Sequence, residues 1–232
     1  EGDIEVSGNA DVRVGVFSAE SVAGARAADL TFITSTGNNV RNRVTLEGNT
    51  IGVTGTLIAS NGGAPGDVEV RGNTITAGDA DTTGIVSLRA AADGALEVTD
   101  NIITSGGVID LVASDLGGGT LLVADNTLTV QAVTDAAVNL AAVAGSCVIT
   151  DNTITATDPD ESFVTSVEVI CTAPNPGSGH TMVVTGNDVV ATGKDQSNLS
   201  IFGFDLDAQV IEENSFETVA GFTIGTTNAD VS

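Results

Sequence analysis

The chain of 232 residues has no Trp and no Tyr, one His, one Met and two Cys, and it sets seven Lys and Arg against 31 Asp and Glu. Each shortage excludes something. A formal net charge of −24 repels phosphate backbones, and few rings are present on which bases could stack, so nucleic-acid binding is excluded as a function class. The same charge opposes adsorption to anionic lipid. No apolar run approaches the ~18 residues of a membrane span. Even the Ala/Val-rich stretch 136–149 is interrupted by Asn139 and Ser146, so no membrane insertion is expected in this segment. Charged residues are too sparse at 16%, and apolar ones too plentiful at 41%, for a disordered acidic tail; the chain buries a core. No motif asks for a cofactor, and none is expected.

What is present is a repeat. Aligned on one Asn, the segments are DIEVSGNADV (Asn9), RVTLEGNTIG (Asn49), DVEVRGNTIT (Asn73), ALEVTDNIIT (Asn101), TLLVADNTLT (Asn126), SCVITDNTIT (Asn152), TMVVTGNDVV (Asn187) and QVIEENSFET (Asn214). The Asn recurs after 40, 24, 28, 25, 26, 35 and 27 residues. The long intervals read as loop insertions near 15–28 and near 157–164 and 173–180.

Within each segment the pattern alternates as a strand does, with successive side chains on opposite faces. Ile4, Val44, Val68, Leu96, Leu121, Cys147, Met182 and Gln209 stand five before the Asn. Val6, Leu46, Val70, Val98, Val123, Ile149, Val184 and Ile211 stand three before it. Both columns are expected to face the core. Aliphatic or aromatic residues two past the Asn, from Ile51 to Phe216, start a second strand, although Asp11 breaks this column in the first segment. A third run follows in most repeats: GIVSLRA, VIDLVA, AVNLAA, SVEVICTA and NLSIFGF. Three strands per coil, with no helical period between them, predict an all-β, right-handed parallel β-helix, a solenoid of about eight coils. At ~4.8 Å per coil this makes a rod roughly 40 Å long. Asn is expected at one corner because it tolerates the left-handed backbone region and its amide can bond backbone or the Asn of the next coil.

The V-x-V-x-x-N-x-I pattern resembles the pectin-lyase-like superfamily of β-helix repeats, which includes polysaccharide lyases and hydrolases and many surface adhesins. The resemblance spans nearly the whole chain and implies a fold without a chemistry. The hydrolase-type set N-x-D, D-D, G-H-G and R-x-K is represented only by Gly177-Ser178-Gly179-His180. Lyase-type members need clustered calcium-binding Asp with a basic residue; Lys194 is the single Lys, and only Arg71 and Arg89 fall in the regular later coils. Arg71, one rung from Glu47, reads as half of a surface ion pair. With no Trp or Tyr, the aromatic platforms that stack on sugar rings are missing. No catalytic residue is assigned.

Among single candidates, His180 reads as an exposed loop residue rather than a general acid or base. Asp158, Asp160 and Glu161 around Pro159 are a calcium candidate, set against a solvated acidic loop. Cys147 and Cys171 both fall on inward columns, Cys171 in line with Ala90, Ala113 and Ala142. A disulfide pinning the coils and two buried thiols remain equal alternatives.

Two outward faces are distinctive. Thr74/Thr76, Ile102/Thr104, Thr127/Thr129 and Thr153/Thr155 form a Thr-x-Thr ladder similar to the ice-binding face of insect antifreeze solenoids, although Thr also simply suits outward strand positions. Four before the Asn the column turns from Glu5, Thr45, Glu69 and Glu97 to Leu122, Val148, Val183 and Val210. That apolar stripe is expected to be covered by a protein partner or another copy. Self-association is also expected at the coil ends, which show no capping signal, and the chain reads as a single β-helix domain, 1–232, from a longer repeat protein. The expected function is a non-enzymatic, extracellular or cell-surface scaffold for adhesion or assembly, its glycan or protein ligand unspecified. A carbohydrate-active β-helix enzyme and an ice-binding solenoid are the rivals.

Overall fold

A computed structural model describes residues 3–7, 11–18, 29–36, 42–53, 55–60, 66–78, 84–90, 94–114, 119–131, 136–157, 165–193, 198–218 and 221–227. The alternating segments become strands of three sheets. Sheet 1 runs β1 (Asp3–Ser7), β4 (Asn42–Glu47), β7 (Gly66–Arg71), β10 (Ala95–Thr99), β13 (Thr120–Ala124), β16 (Ser146–Thr150), β19 (Thr181–Thr185) and β22 (Ala208–Glu212). Sheet 2 runs β5 (Thr50–Val53), β8 (Thr74–Ala77), β11 (Ile102–Ser105), β14 (Thr127–Gln131), β17 (Thr153–Thr157), β20 (Asp188–Thr192) and β23 (Ser215–Thr218). Sheet 3 runs β2 (Asp11–Ser18), β3 (Asp29–Thr36), β6 (Thr56–Ser60), β9 (Ile85–Ala90), β12 (Val108–Ser114), β15 (Ala136–Val143), β18 (Thr165–Thr172), β21 (Asn198–Phe204) and β24 (Gly221–Thr227). From β4 onward the chain visits sheets 1, 2 and 3 in turn, and each strand lies parallel to its equivalent one coil away. This is a parallel β-helix.

The expected count of eight coils becomes seven among the described residues, from β4–β5–β6 to β22–β23–β24. The first Asn segment is not a coil. β1 runs antiparallel to β4, pairing Ile4 with Leu46 and Val6 with Val44, and β2 runs antiparallel to β3. Asp11 stands where later repeats carry an aliphatic residue, and among the described residues no sheet 2 strand lies between β1 and β2. Residues 15–18, expected within an insertion, lie in β2. Residues 173–180 connect β18 to β19.

The inward columns form one continuous core. Val44, Leu46, Val68, Val70, Leu96 and Val98 of sheet 1 are fully buried against Ile75 and Ile103 of sheet 2 and Leu88 and Leu111 of sheet 3. At ~1.5–3 kcal/mol for each buried aliphatic side chain, stacking of this column dominates stability. One polar residue enters it. Gln209 follows Met182 in the inward column and is 2% exposed, and its amide occupies the space beside Gly203 that a side chain at 203 would fill. Its Oε1 has no hydrogen-bond partner.

The corner between sheets 1 and 2 corrects the expected role of Asn. The left-handed residue is the one before it: Gly48 (φ 65°), Gly72 (φ 60°), Asp100 (φ 57°), Asp125 (φ 57°), Asp151 (φ 56°), Gly186 (φ 68°) and Glu213 (φ 56°). Gly, and Asp next after it, tolerate that region best, which explains the Gly-Asn and Asp-Asn dipeptides. Asn49, Asn73, Asn101, Asn126, Asn152 and Asn187 are buried, and their amides form a ladder along the solenoid. Asn73 donates its backbone N–H and its Nδ2 to Asn101 Oδ1, at 2.9 and 3.0 Å, and Nδ2 also reaches Leu46 O and Arg71 O. The same set recurs at the following corners up to Asn187, which donates to Asn214 Oδ1.

Candidate functional site

With the interior filled by aliphatic side chains, chemistry falls to the outward columns, which alternate with buried positions on every strand. On sheet 3 the middle of each third-strand run is polar. Ser87, Asp110, Asn139, Glu168 and Ser200 pair in register from coil to coil and form one column. At its start is an open concavity of about 670 Å³, lined by Ser87, Arg89, Asp110 and Asn139 and flanked by Ile85 and Val108. Arg89 bridges Asp110, and its Nε donates to Ser87 Oγ at 3.1 Å. Sequence reasoning treated these runs only as strands; the signal was present in the single polar residue at the centre of each.

Asp110 is engaged by a guanidinium, and Glu168 stands two rungs away with Asn139 between them, roughly 9.6 Å along the axis at ~4.8 Å per rung. A pair of carboxylates flanking a glycosidic bond sits about 5–5.5 Å apart in retaining enzymes and about 6.5–9.5 Å apart in inverting ones. The backbone spacing of Asp110 and Glu168 is close to the upper end of the wider range.

Sheet 1 carries two faces end to end. Its early coils bear an ion-pair network: Arg43 to Glu69 at 2.9 Å, Arg71 to Glu97 at 2.9 Å and Arg71 to Glu69 at 3.5 Å. Arg71 was expected to pair near Glu47. Glu47 is its rung neighbour, but the salt bridges run to Glu97 and Glu69, because the side chain reaches toward the next coil. Glu97 chiefly, by charge and hydrogen bond, raises the Arg71 pKa above its ordinary value. Beyond Glu97 the same column continues as Leu122, Val148, Val183 and Val210, in register and facing outward. These four are half-buried. The most exposed large apolar side chains among the described residues are elsewhere: Ile102 (54%), Ile224 (47%), Phe222 (45%) and Val143 (40%).

No family model, curated protein or solved structure matches this chain. Its functional residues are therefore those its own geometry assembles.

Sheet 2 presents the Thr face. Thr74, Ile102, Thr127 and Thr153 pair in one outward column, and Thr76, Thr104, Thr129 and Thr155 in the next. Thr50 extends the first column by a coil, before Gly52 ends the second; Asp188 and Val190 close the face on the other side.

Cys147 and Cys171 are joined in a disulfide with Cα atoms 6.2 Å apart, inside the usual range for such a bond. The expectation that a disulfide here would pin the coils is corrected. β16 and β18 belong to a single coil, so the bond spans its interior from sheet 1 to sheet 3 rather than pinning successive coils. His180, expected to be exposed, is half-buried with Nδ1 3.5 Å from Ser146 Oγ, and that hydroxyl also accepts the Thr181 N–H at 3.0 Å. The preceding loop is held by Asp207, whose carboxylate accepts the N–H groups of Gly177 and Gly179. Asp158, Asp160 and Glu161 lie outside the described residues, and no group of three metal-ligating side chains occurs among those that are described.

Proposed function

We propose that the chain is a non-enzymatic structural β-helix, secreted or displayed at a cell surface, which serves as a rigid scaffold for adhesion or assembly. The observation that carries this reading is a contrast between columns. Inward positions and the Asn corner repeat from coil to coil, so the chemistry held constant is that which binds one coil to the next. Outward positions change: ion pairs become an apolar stripe on sheet 1, and a Thr face ends in Asp188 on sheet 2. The likeness of its repeat to pectin-lyase-like β-helices supports the reading at the level of the fold, and membership of that superfamily is part of the proposal. The net charge of −24 supports a soluble exterior setting.

The test is adhesion of protein-coated beads to cells, matrix proteins and an array of glycans, beside an assay for cleavage of acidic and neutral polysaccharides. Saturable adhesion without cleavage is expected. Cleavage abolished by Glu168→Gln would replace this reading with the carbohydrate-active one, since Glu168 is the carboxylate in the sheet 3 column not engaged by Arg89.

A second reading has the Thr face in its favour. Hydroxyls in two columns, spaced by the ~4.8 Å strand separation, offer a flat periodic surface suited to ice. Freezing hysteresis that increases in Ile102→Thr would support it; no hysteresis in either protein would sink it.

A further inference from the structure

Four outward side chains of sheet 3 hold hydrogen-bonding capacity that the chain leaves open. Arg89 is fixed by two contacts, Nη2 on the Asp110 carboxylate and Nε on Ser87 Oγ at 3.1 Å, while its Nη1 makes none among the described residues. Asp110 bridges through Oδ2 and keeps Oδ1 open. Asn139 and Glu168, the next two members of the column, have no hydrogen-bond or ion-pair partner among the described residues. Ser87 is buried, so the guanidinium is oriented before any ligand arrives. Ala137 and Ala141, the outward neighbours of Asn139 on β15, are too short to shield its amide.

These groups line or continue the concavity of about 670 Å³, whose apolar walls are Ile58, Ile85 and Val108. Along the axis the order is a donor edge at Arg89, an acceptor at Asp110, an amide at Asn139 and a carboxylate at Glu168. The end of a polypeptide offers the complement in the same order: its terminal carboxylate, the last N–H, the preceding peptide group and a basic side chain further back. An extended chain advances ~3.3–3.6 Å per residue, so about three residues cover the roughly 9.6 Å from Asp110 to Glu168. Two other ligand classes fit less well. A pyranose stacks on aromatic faces, and no aromatic side chain is among the described residues that line the concavity. A net anion is repelled by the charge of −24, whereas a carboxylate balanced by Lys or Arg opposite Glu168 is not.

We propose that the sheet 3 column is a docking site for the C-terminus of a partner polypeptide that ends in an aliphatic residue and carries Lys or Arg three residues before it. The terminal carboxylate lies on Arg89 Nη1, a charge-assisted contact, and the last N–H on Asp110 Oδ1. The aliphatic side chain fills the space between Ile58, Ile85 and Val108. The preceding peptide group pairs with the Asn139 amide, and the basic side chain with Glu168. Capture of a chain terminus is a recurring mode of peptide recognition. The inference names a partner for the scaffold reading and rests on that reading.

The test is calorimetry with the full chain and the synthetic peptide acetyl-Lys-Ala-Ala-Leu bearing a free carboxylate. The expected result is saturable 1:1 binding, at least tenfold weaker for the peptide amide and for the chain variant Arg89→Gln. Glu168→Gln is expected to weaken binding of this peptide severalfold and to leave acetyl-Ala-Ala-Ala-Leu unchanged, a coupling that a merely structural effect of the substitution would not produce. The amide control leaves the protein untouched, so the outcome does not depend on whether a variant folds. Absence of binding to the wild-type chain, equal binding of acid and amide, or binding unaffected by Arg89→Gln overturns the proposal. So does free leucine binding as tightly as the peptide. Bead adhesion without peptide binding would overturn this proposal alone and leave the scaffold reading standing.

Discussion

Asn126 Oδ1 accepts two hydrogen bonds from Asn101, one from its backbone N–H at 2.9 Å and one from its Nδ2 at 3.0 Å. Asn126 in turn gives its Nδ2 to Val98 O and Ala124 O, both at 2.8 Å. Replacing it with Ala removes both donors and leaves the buried Asn101 N–H without an acceptor. Each buried polar group so stranded costs about 1–3 kcal/mol. We expect Asn126→Ala to lower unfolding free energy by about 3 kcal/mol or more, measured as a lower urea midpoint at constant m. Asn126→Asp keeps one acceptor but turns the second oxygen toward two carbonyls, and it is expected to be at least as damaging. Asn214→Ala, at the half-buried end of the ladder, is expected to cost less than Asn126→Ala.

The residue before each Asn makes a separate prediction. Gly72 has φ 60° and nothing near the position of an added Cβ, so a substitution there tests backbone conformation without a clash. Gly72→Ala is expected to cost about 1–2 kcal/mol, and Gly72→Asn clearly less, because Asn enters the left-handed region more readily. Equal losses in thermal melts of the two variants would contradict this account of the corner.

The disulfide between Cys147 and Cys171 closes a separation of 24 residues inside a sealed core. Intact mass under native conditions should be two hydrogens below the reduced chain, and reductant should act only when denaturant is present. Cys147→Ala/Cys171→Ala is expected to lose about 3 kcal/mol, the loop-closure term for a segment of this length, with cavity formation adding to it.

Salt sorts two opposed electrostatic effects. The pairs Arg43–Glu69 and Arg71–Glu97 are partly exposed, and such pairs contribute about 1 kcal/mol or less each. Repulsion among the charges behind a net −24 opposes folding, and salt screens it. The melting temperature is therefore expected to rise from about 0.05 M to about 0.5 M NaCl, where the Debye length shortens severalfold. A fall would mean that the ion-pair network dominates. Arg71 adds no slope near neutrality. Its raised pKa means that its contribution is complete below the ordinary arginine value and is lost only as pH climbs through the raised one, in strong alkali.

Much of this was legible along the chain, for reasons that are local. The period-2 alternation around Asn73, Asn101, Asn126 and Asn152 determined strand, inward face and register, since a slip of one residue would turn Val70, Val98, Val123 and Ile149 outward. The column of Cys171 with Ala90, Ala113 and Ala142 follows from the same alternation, as do the Thr face and the outward direction of Leu122, Val148, Val183 and Val210. Other features depended on distances that sequence spacing does not carry. The reversal of β1 and β2 is a matter of strand direction, and a hydrophobic pattern reads alike in both directions. Arg71 chose Glu97 over Glu47 because a long side chain reaches past its own rung. Cys147 and Cys171 met within one coil because sheets 1 and 3 face each other across a narrow interior. The sequence by itself determined which side chains are inside and which coil stacks on which; only the tertiary structure decided which groups meet across the core, which line the sheet 3 concavity, and that Phe222 and Ile224 are about half exposed where their equivalents Leu199 and Ile201 are buried. Alternation along a strand is a property of one segment, whereas these contacts join residues that folding alone brings together.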